Sequence, residues 1–257
     1  MKTMLQTMTL RFLIAFQFLT IIPVRIRAPF GAPELAQAMG FFPVVGALIG
    51  LAAAGCWAGA GWLIGPGAAA VCAVAALAVV TGGLHLDGAA DLADALGSGK
   101  DREEKLRIMA DSRVGAMGAA AVALVLLAKT ALIGSLPRHD VWLAIVVMAA
   151  ASRCGMLVPA LAFGYGRKEG GTAAPFVENL SPRTVAVAAV VTLVLGGALL
   201  NAAGLIAVAV ALAAAWFAGW GAARILGGVT GDVLGAVNEL GELVWLAAFE
   251  AALHRLL

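Results

Sequence analysis

The stretch AVAVALAAAWFAGWGAA, residues 207–223, contains no charged side chain and consists of alanine, glycine and larger apolar residues. About 20 residues of this kind form a helix long enough to cross the hydrocarbon core of a bilayer. The same composition runs through the 257-residue chain, which is 62% hydrophobic and 12% charged with a mean hydropathy of +0.98. Soluble domains are about 45–50% apolar and about 25% charged. The sequence therefore predicts an all-α, polytopic membrane bundle that forms a single domain over residues 1–257.

Apolar runs of similar length recur along the chain and predict about seven membrane spans. They cover residues 36–63, 67–86, 114–134, 141–163, 184–201, 203–224 and 241–256. A further amphipathic helix is predicted at residues 4–22, where it lies at the membrane interface or packs on the bundle. Alanine and glycine are abundant in several spans, and small side chains let membrane helices approach closely. We therefore expect a compact bundle.

The basic residues indicate how the bundle is oriented, because loops rich in Lys and Arg stay in the cytoplasm. The net charge of +2 is too small and too scattered to indicate nucleic acid binding. Basic side chains concentrate in the segment 87–113 and after the fourth span, at Lys100, Arg102, Lys105, Arg107, Arg113, Arg167, Lys168 and Arg183. Both regions are predicted to be cytoplasmic, and the segment 225–240 then falls on the same side. The acid-bearing segments would thus share one face of the membrane.

The first candidate site is TGGLHLDGAADLAD, residues 81–94, where Asp87, Asp91 and Asp94 are spaced by four and three residues. On a helix these offsets bring the three carboxylates to one face. Such a cluster is tolerable with a cation between its members, and Mg²⁺ prefers oxygen ligands. The alternative is a solvated helix start, which favours acids through the helix dipole. His85 can contact a substrate or serve as a hydrogen-bonded packing residue.

The second candidate is KLRIMADSRVGAMG, residues 105–118. Asp111 can add a fourth carboxylate, while Lys105 and Arg113 offer cations for phosphate groups. Gly115 and Gly118 begin the next span and can let backbone amides approach an anion. The alternative is a basic flank whose charges only fix the topology, although that does not explain Asp111.

The third candidate is GGVTGDVLGAVNELGE, residues 227–242, in which Asp232 and Glu239 lie two helical turns apart and Asn238 adds a neutral polar group. This segment can coordinate a second metal or hold a sugar hydroxyl, and it can equally be an ordinary turn between helices. Arg153 lies within the fourth predicted span. An arginine there usually faces a carboxylate or an anion, which makes it a site candidate, unless it extends to the membrane surface.

Several ordered motifs resemble one known family, the cobalamin synthases (adenosylcobinamide-GDP ribazoletransferases). They are GGLHLDGAADLADAL at 82–96, IMADSRVGAMG at 108–118, GGVTGDVLGAVNELGE at 227–242, FLIAFQFLTIIPVR at 12–25 and FFPVVGALIG at 41–50. The resemblance covers nearly the whole chain. One departure is modest, since Ala95 stands where relatives often have a glycine.

The resemblance implies a multi-pass enzyme of the bacterial cytoplasmic (inner) membrane that acts in the last steps of coenzyme B12 assembly. It would join adenosylcobinamide-GDP to α-ribazole, or to α-ribazole 5'-phosphate, and release GMP with Mg²⁺ as cofactor. Membrane lipids would surround it, and other late corrinoid-pathway enzymes are conceivable partners.

On that resemblance, each candidate residue takes an expected role. Asp87, Asp91, Asp94 and Asp111 would hold Mg²⁺, with Asp91 and Asp111 as the catalytic residues. The expected substrate-binding residues are His85, Lys105, Arg113, Arg153, Asp232, Asn238 and Glu239.

Two other functions fit parts of the pattern. CDP-alcohol phosphotransferases also carry an acidic metal cluster in a membrane, but the arginine of their DGxxAR element is absent after Asp87 and Gly88. An ion-coupled transporter would use membrane acids as a cation path, and it would favour acids near the middle of the membrane and repeated halves.

Overall fold

The computed structural model describes residues 4–167 and 169–256, so Lys168, one of the basic residues predicted to be cytoplasmic, lies outside the described residues. Within those ranges the chain forms helices and no β-strand. The helices are α1 (Met4–Leu19), α2 (Ala32–Ala38), α3 (Phe42–Leu63), α4 (Pro66–Val80), α5 (Leu84–Gly97), α6 (Arg102–Ile108), α7 (Ala116–Ser135), α8 (Val141–Phe163), α9 (Ala174–Glu178), α10 (Pro182–Leu226) and α11 (Gly231–Leu256). A 3₁₀ turn, Met39–Phe41, joins α2 to α3. The predicted all-α bundle is confirmed.

Helix α8 is the central element, and it occupies the predicted span 141–163. Every residue from Ala144 to Leu157 is buried, because α3, α10 and α11 pack around it. Small side chains make this possible: a methyl group added to Gly50 of α3 would lie 2.7 Å from the α carbon of Val146. The close approach of small residues that the composition predicted is therefore present.

Four helical segments among the described residues are long and apolar enough to cross a membrane, or five if α4 and α5 together form one broken span. The four are Ala32–Leu63, Ala116–Ser135, Val141–Phe163 and Pro182–Leu226. Helix α11, which contains the predicted seventh span, is not among them. It carries Asp232, Glu239 and Glu242, and these polar groups lower its hydropathy. The total of seven spans stays a prediction.

Helix α10 is broken where the sequence predicted the boundary between two spans. At Leu200 and Asn201 the backbone leaves the helical region, and Asn201 has φ +53°. A methyl group added to Gly196 would lie 3.2 Å from the Gly204 carbonyl. In a straight helix, residues eight apart are separated by about 12 Å. The chain therefore folds back, and its two halves pack side by side.

The predicted second span, 67–86, ends earlier than expected. Helix α4 stops at Val80, and Gly82 and Gly83 follow with φ values of +61° and +72°. Glycine adopts this left-handed conformation readily. Helix α5 then leaves at 88° to α4. It packs against α7 and α11 instead of continuing the α4 span, so the segment with the acidic cluster runs across the bundle. Helix α1 likewise ends at Leu19, before the predicted boundary at residue 22.

The end of the bundle that holds α5 is tied together by backbone contacts. Arg102 Nε donates to the carbonyl of Leu226 at 2.7 Å, and Arg102 Nη2 donates to the carbonyl of Gly166 at 3.0 Å. The Gly166 amide donates to the Val229 carbonyl at 2.8 Å. These bonds hold α6 and the segment after α8 against the end of α10 and the loop that leads into α11, and they fix the walls of the site.

Candidate active site

Helix α5 presents the acidic cluster that the sequence predicted. Gly83 is the residue before its first turn, and Asp87 lies in that turn, where the helix dipole favours an acid. Asp87, Asp91 and Asp94 follow at the helical spacing that puts side chains on one face. The helical placement of these acids is therefore confirmed.

Helix α11 brings a further carboxylate to the same place. A methyl group added to Gly88 would lie 2.8 Å from the carbonyl oxygen and 2.9 Å from the α carbon of Asp232. One turn further along α11, a methyl group on Gly235 would lie 3.2 Å from the His85 carbonyl. Glycine at these positions lets α5 and α11 touch through their backbones. Asp232, predicted from the third motif, thereby joins the acids of the first.

We expect Gly88→Ala to disrupt the site without removing any polar group. The added methyl must push α11 away from α5, which separates Asp232 from Asp87 and Asp91. Overpacking of this kind costs about 1–3 kcal/mol of unfolding free energy. Turnover should fall by more than the loss of folded protein explains, as measured in detergent on equal amounts of folded enzyme. Ala89→Ser, on the same turn, is the control, and equal activity of Gly88→Ala and wild type would contradict the close contact.

The acids of this site repel one another. Burial, together with the negative charges of Asp87, Asp232 and Asp94, raises the pKa of Asp91 to about 6, and the positive charge of Arg167 opposes the shift. Arg167 also binds Asp232 directly, with Nη2 2.8 Å from Oδ2. Arg167 was counted only as a topology marker in the sequence. Its position after the buried α8 helix, at the membrane boundary, was the signal that it could belong to the site.

Asp94 differs from its predicted role as a metal ligand. Its Oδ2 accepts from the Gly115 amide at 2.6 Å, and its Oδ1 accepts from the Gly118 amide at 2.8 Å. Asp94 therefore caps the first turn of α7 and satisfies amides that lack partners within that helix. The two glycines do let backbone amides approach an anion, as predicted, but that anion is Asp94.

Asp94→Asn should therefore weaken the fold and leave the dependence on Mg²⁺ unchanged. An amide side chain can accept from one of the two backbone N–H groups but turns its own NH₂ towards the other. We expect a loss of about 1–3 kcal/mol in unfolding free energy, because a capping bond to a charged group is lost. The measurement is thermal unfolding in detergent, with Asp101→Asn, which removes the charge at the start of α6, as the matched capping variant. An altered Mg²⁺ requirement would return Asp94 to the metal site.

Asp111 and Arg113 form an exposed pair and not the expected base and phosphate clamp. Arg113 Nη2 lies 2.6 Å from Asp111 Oδ2, its Nε bonds both carboxylate oxygens, and its side chain is 87% exposed. Hydrogen bonds from the side chain and backbone of Arg113 lower the pKa of Asp111 to about 2. A general base needs a pKa near the working pH. The structure therefore does not favour Asp111 as the base.

Lys105 also lies apart from the acidic cluster. Its Nζ donates to the carbonyl of Lys100, while its neighbour Arg107 pairs with Glu104 at 2.6 Å. These contacts are local to α6 and the turn before it. The structure does not bring Lys105 to the carboxylates of α5.

Arg153, Glu239 and Asn238 were predicted to bind substrate, but they lie in a buried charge network. Arg153 pairs with Glu242, and Lys129 Nζ pairs with Glu242 and, at 2.7 Å, with Glu239 Oε2. Asn238 Nδ2 lies 3.5 Å from Glu239 and 3.4 Å from Glu242. These side chains are buried and take their partners from one another, which gives them a stabilising place in the bundle, and the substrate-binding roles of Arg153, Asn238 and Glu239 stay predictions.

The sequence analysis missed Lys129 and Glu242. Lys129 interrupts the apolar span of α7, and the rule that a charge within a span needs a partner applies to it as it does to Arg153. Glu242 follows Glu239 by three residues, which puts both acids on one face of α11. The sequence contained these signals, but it could not show that Lys129 on α7 and Arg153 on α8 would pair with the acids of α11.

A cavity of about 200 Å³ lies between α5, α11 and the aromatic side chains of α1, α3 and α9. Asp87 and Asp232 line it together with His85. His85 is 2% exposed, and its Nε2 has no hydrogen-bond partner among residues 4–167 and 169–256. The Nε2 atom of His85 is therefore available to bond a substrate in this cavity.

A larger open cleft of about 830 Å³ adjoins this site. Arg102, Arg107 and Arg167 line it, with Asp101, Glu103 and Glu169 among the other lining residues. Arginine can bind phosphate oxygens with two parallel hydrogen bonds. The three acids balance the three arginines in formal charge, so the cleft offers arginine side chains for a phosphate-bearing group without being positively charged as a whole.

The carboxylates do not form a closed metal cage. In the part of the chain that the structure describes, no group of three or more His, Cys, Asp and Glu residues is arranged to hold a metal ion. The predicted set Asp87, Asp91, Asp94 and Asp111 is accordingly divided: Asp94 caps α7, Asp111 pairs with Arg113, and Asp87 and Asp91 remain beside Asp232.

Comparison with known proteins identifies the family of the chain. The family described as cobalamin-5-phosphate synthase matches residues 11–250. An adenosylcobinamide-GDP ribazoletransferase from Syntrophobacter fumaroxidans is 38% identical over 91% of this chain and 95% of its own length. Proteins of the same name from Chlorobaculum tepidum and Klebsiella pneumoniae are 40% and 38% identical, over 91% and 92% of this chain and 92% and 98% of their own lengths.

No solved structure shows significant similarity to the chain. The family match runs from within α1 to within α11, and it includes the acidic face of α5 and the start of α11. The chain belongs to the cobalamin-5-phosphate synthase family.

Proposed function

We propose that this protein is an adenosylcobinamide-GDP ribazoletransferase, which completes cobalamin synthesis at the membrane. It transfers the adenosylcobinamide phosphate moiety to α-ribazole, or to α-ribazole 5'-phosphate, and releases GMP. The observation that carries the proposal is the meeting of Asp87 and Asp91 on α5 with Asp232 on α11, beside a cleft lined by arginines and acids, in a member of this family. The family match does not support the lipid phosphotransferase or transporter alternatives.

The reaction is a phosphoryl transfer. A ribose hydroxyl oxygen of the ribazole attacks the phosphorus linked to cobinamide and forms a new P–O bond. The bond from that phosphorus to the oxygen of GMP breaks, and GMP leaves with the electron pair while the hydroxyl loses its proton. Such reactions depend mainly on positioning the groups and neutralising charge. Arg167 and Arg102 line the cleft where the pyrophosphate would lie.

The donor set of this site fits Mg²⁺. Asp87 and Asp91 supply the hard oxygen ligands that this ion prefers, and the mutual repulsion of the acids favours a cation between them. Mg²⁺ commonly takes one or two protein carboxylates and completes its shell with water and substrate phosphates. When bound, the ion would supply charge neutralisation on the pyrophosphate.

Asp232 would have a supporting part in this arrangement. Its carboxylate binds Arg167 and also accepts from the Thr230 hydroxyl at 3.3 Å. It therefore holds Arg167 at the edge of the cleft, where the guanidinium retains further N–H groups for phosphate oxygens. The predicted sugar contact of Asp232 remains open, because the residue also lines the smaller cavity.

The decisive test follows GMP release by the purified full-length protein in detergent. Adenosylcobinamide-GDP and α-ribazole in the presence of Mg²⁺ should yield GMP and cobalamin in equal amounts, and a chelator should stop the reaction. α-Ribazole 5'-phosphate should be tried in parallel, since its product would be cobalamin 5'-phosphate. Failure of both acceptors with folded protein would overturn the proposal.

The orientation in the bacterial cytoplasmic membrane is a further proposal, supported by the basic residues of segment 87–113. A Ser98→Cys variant lacking the native Cys56, Cys72 and Cys154 should resist membrane-impermeant thiol reagents in intact cells. It should react after permeabilisation, because Ser98 follows α5 on the proposed cytoplasmic side. A cysteine exposed to the reagent in intact cells would place the active site outside.

A further inference from the structure

The cavity beside His85 has an aromatic wall. Phe18 of α1 lies 4.6 Å, ring centre to ring centre, from Phe176 of α9, and its ring stacks on Phe42 of α3 at 5.9 Å and an interplanar angle of 12°. Phe42 and Phe176 are 6.3 Å apart. All three line the cavity. Elements distant in the sequence thus supply a cluster of rings at one small space.

Polar residues also line the cavity. Asp87 and Asp232 line it, and so does His85, whose Nε2 lacks a hydrogen-bond partner among the described residues. A buried ring nitrogen without a partner costs free energy, so an occupant that bonds it would be favoured. The cavity therefore combines an aromatic surface, one buried nitrogen and two carboxylates.

We infer that this cavity binds the planar aromatic base of the ribazole acceptor; the inference rests on the proposed function. The cavity has a volume of about 200 Å³, whereas pockets for drug-sized ligands measure about 300–1,000 Å³. It therefore suits one small ring system and is too small for a corrin or a guanine nucleotide. Aromatic rings pack well against the faces and edges of Phe side chains. A benzimidazole has that planar, apolar shape.

The polar groups match the rest of the acceptor. The unsubstituted ring nitrogen of the base accepts one hydrogen bond, which His85 donates in the tautomer that carries hydrogen on Nε2. The ribose attached to the other ring nitrogen then extends towards Asp87 and Asp232, whose oxygens accept from its hydroxyls. His85 is in this arrangement a binding residue for the acceptor.

This placement also orients the reaction. Asp87 borders the base cavity and precedes Asp91 by about one helical turn, so a ribose held at Asp87 lies beside the proposed Mg²⁺ site. Fixing the attacking hydroxyl near the pyrophosphate removes much of the entropic barrier to a bimolecular step. The acceptor therefore enters on the α11 side of α5, while the cleft that holds Arg102 and Arg167 receives the nucleotide.

Ala173→Leu tests the cavity by filling it. Ala173 lines the space and is 6% exposed, and Ala174, also 6% exposed, does not line it, so Ala174→Leu is the matched control. We expect Ala173→Leu to raise the KM for α-ribazole by about 10-fold or more, as steric exclusion of a ring requires. The KM for adenosylcobinamide-GDP should stay within about twofold of wild type. Equal KM values for α-ribazole in both variants and wild type would overturn the inference.

Direct binding separates this inference from the proposed function. In equilibrium dialysis without Mg²⁺ or nucleotide, wild type and Ala174→Leu should bind 5,6-dimethylbenzimidazole, and Ala173→Leu should not. If wild type releases no GMP, the proposed function fails whatever binds. If GMP is released but the base does not bind, or if lauric acid displaces it as a lipid chain would, the base site fails.

A measurement on wild type alone covers the case in which Ala173→Leu does not fold. 5,6-Dimethylbenzimidazole should inhibit GMP release competitively against α-ribazole and not against adenosylcobinamide-GDP. His85→Phe should weaken that inhibition by about 5-fold or more, because it keeps the ring and loses the donor. Competition against adenosylcobinamide-GDP instead, or undiminished inhibition of His85→Phe, would overturn the assignment.

Discussion

Asp91→Asn is expected to lower turnover by roughly 100-fold or more and to raise the Mg²⁺ concentration needed for half-maximal activity. The asparagine has the same shape but lacks the central negative charge on the acidic face of α5. A bound metal supplies several kcal/mol of charge neutralisation in a phosphoryl transfer, and each 1.36 kcal/mol corresponds to about tenfold in rate. The measurement is GMP release as a function of Mg²⁺ concentration.

Asp94→Asn is the matched control for this prediction, since it makes the same substitution on the same helix three residues later. Asp94 binds backbone amides of α7, so its variant should lose stability and keep the wild-type Mg²⁺ dependence. Asp91→Asn should show the opposite pattern, because removing its charge also relieves the repulsion from Asp87 and Asp232. Identical Mg²⁺ curves for Asp91→Asn and wild type would remove Asp91 from the metal site.

The contrast between these two acids shows where sequence reasoning about the site stops. Spacing alone put Asp87, Asp91 and Asp94 on one helical face, and the structure confirms that helix. The same spacing could not reveal that the amides of Gly115 and Gly118 would reach Asp94. That contact joins residues more than 20 positions apart, and it depends on how α7 begins beside α5.

The fold was more accessible to sequence than the site because hydropathy and length determine a membrane helix locally. Helix α8 matches its predicted bounds, and the break at Leu200 and Asn201 lies where two spans were separated. The boundary of α4 was harder. Apolar residues continue past Val80, and only the left-handed conformations of Gly82 and Gly83 turn the chain away.

Side chains within the spans were the least predictable part of the site. The sequence indicated that Arg153 needs a charged partner, and the substrate was expected to be that partner. Its actual partner, Glu242, is 89 residues away in the chain. Burial of acids on α11 also explains why that helix is less apolar than the other long helices. The polar groups face inward, towards Lys129 and Arg153.

Glu242→Gln should destabilise the protein strongly. Glu242 pairs with both Lys129 and Arg153, and its side chain is 1% exposed. Removing its charge leaves two buried cations facing Glu239 as their remaining acid in this network. Breaking a buried ion pair by removing one partner costs about 3–5 kcal/mol, because an uncompensated charge remains away from water. The loss should appear as a lower unfolding free energy or midpoint in detergent.

Two further variants test whether the uncompensated buried charge causes the loss of stability in Glu242→Gln. Glu250→Gln lies on the same helix outside this network and should change stability little, so it controls for the loss of an acid. Arg153→Met combined with Glu242→Gln removes one charge of each sign. If the double variant loses less unfolding free energy than the two single variants lose in sum, the two side chains are coupled. If instead Glu242→Gln unfolds like wild type, the buried pairs contribute nothing to stability. The inward polar face of α11 would then require a functional explanation, and Arg153 and Glu239 would return as candidates for binding substrate.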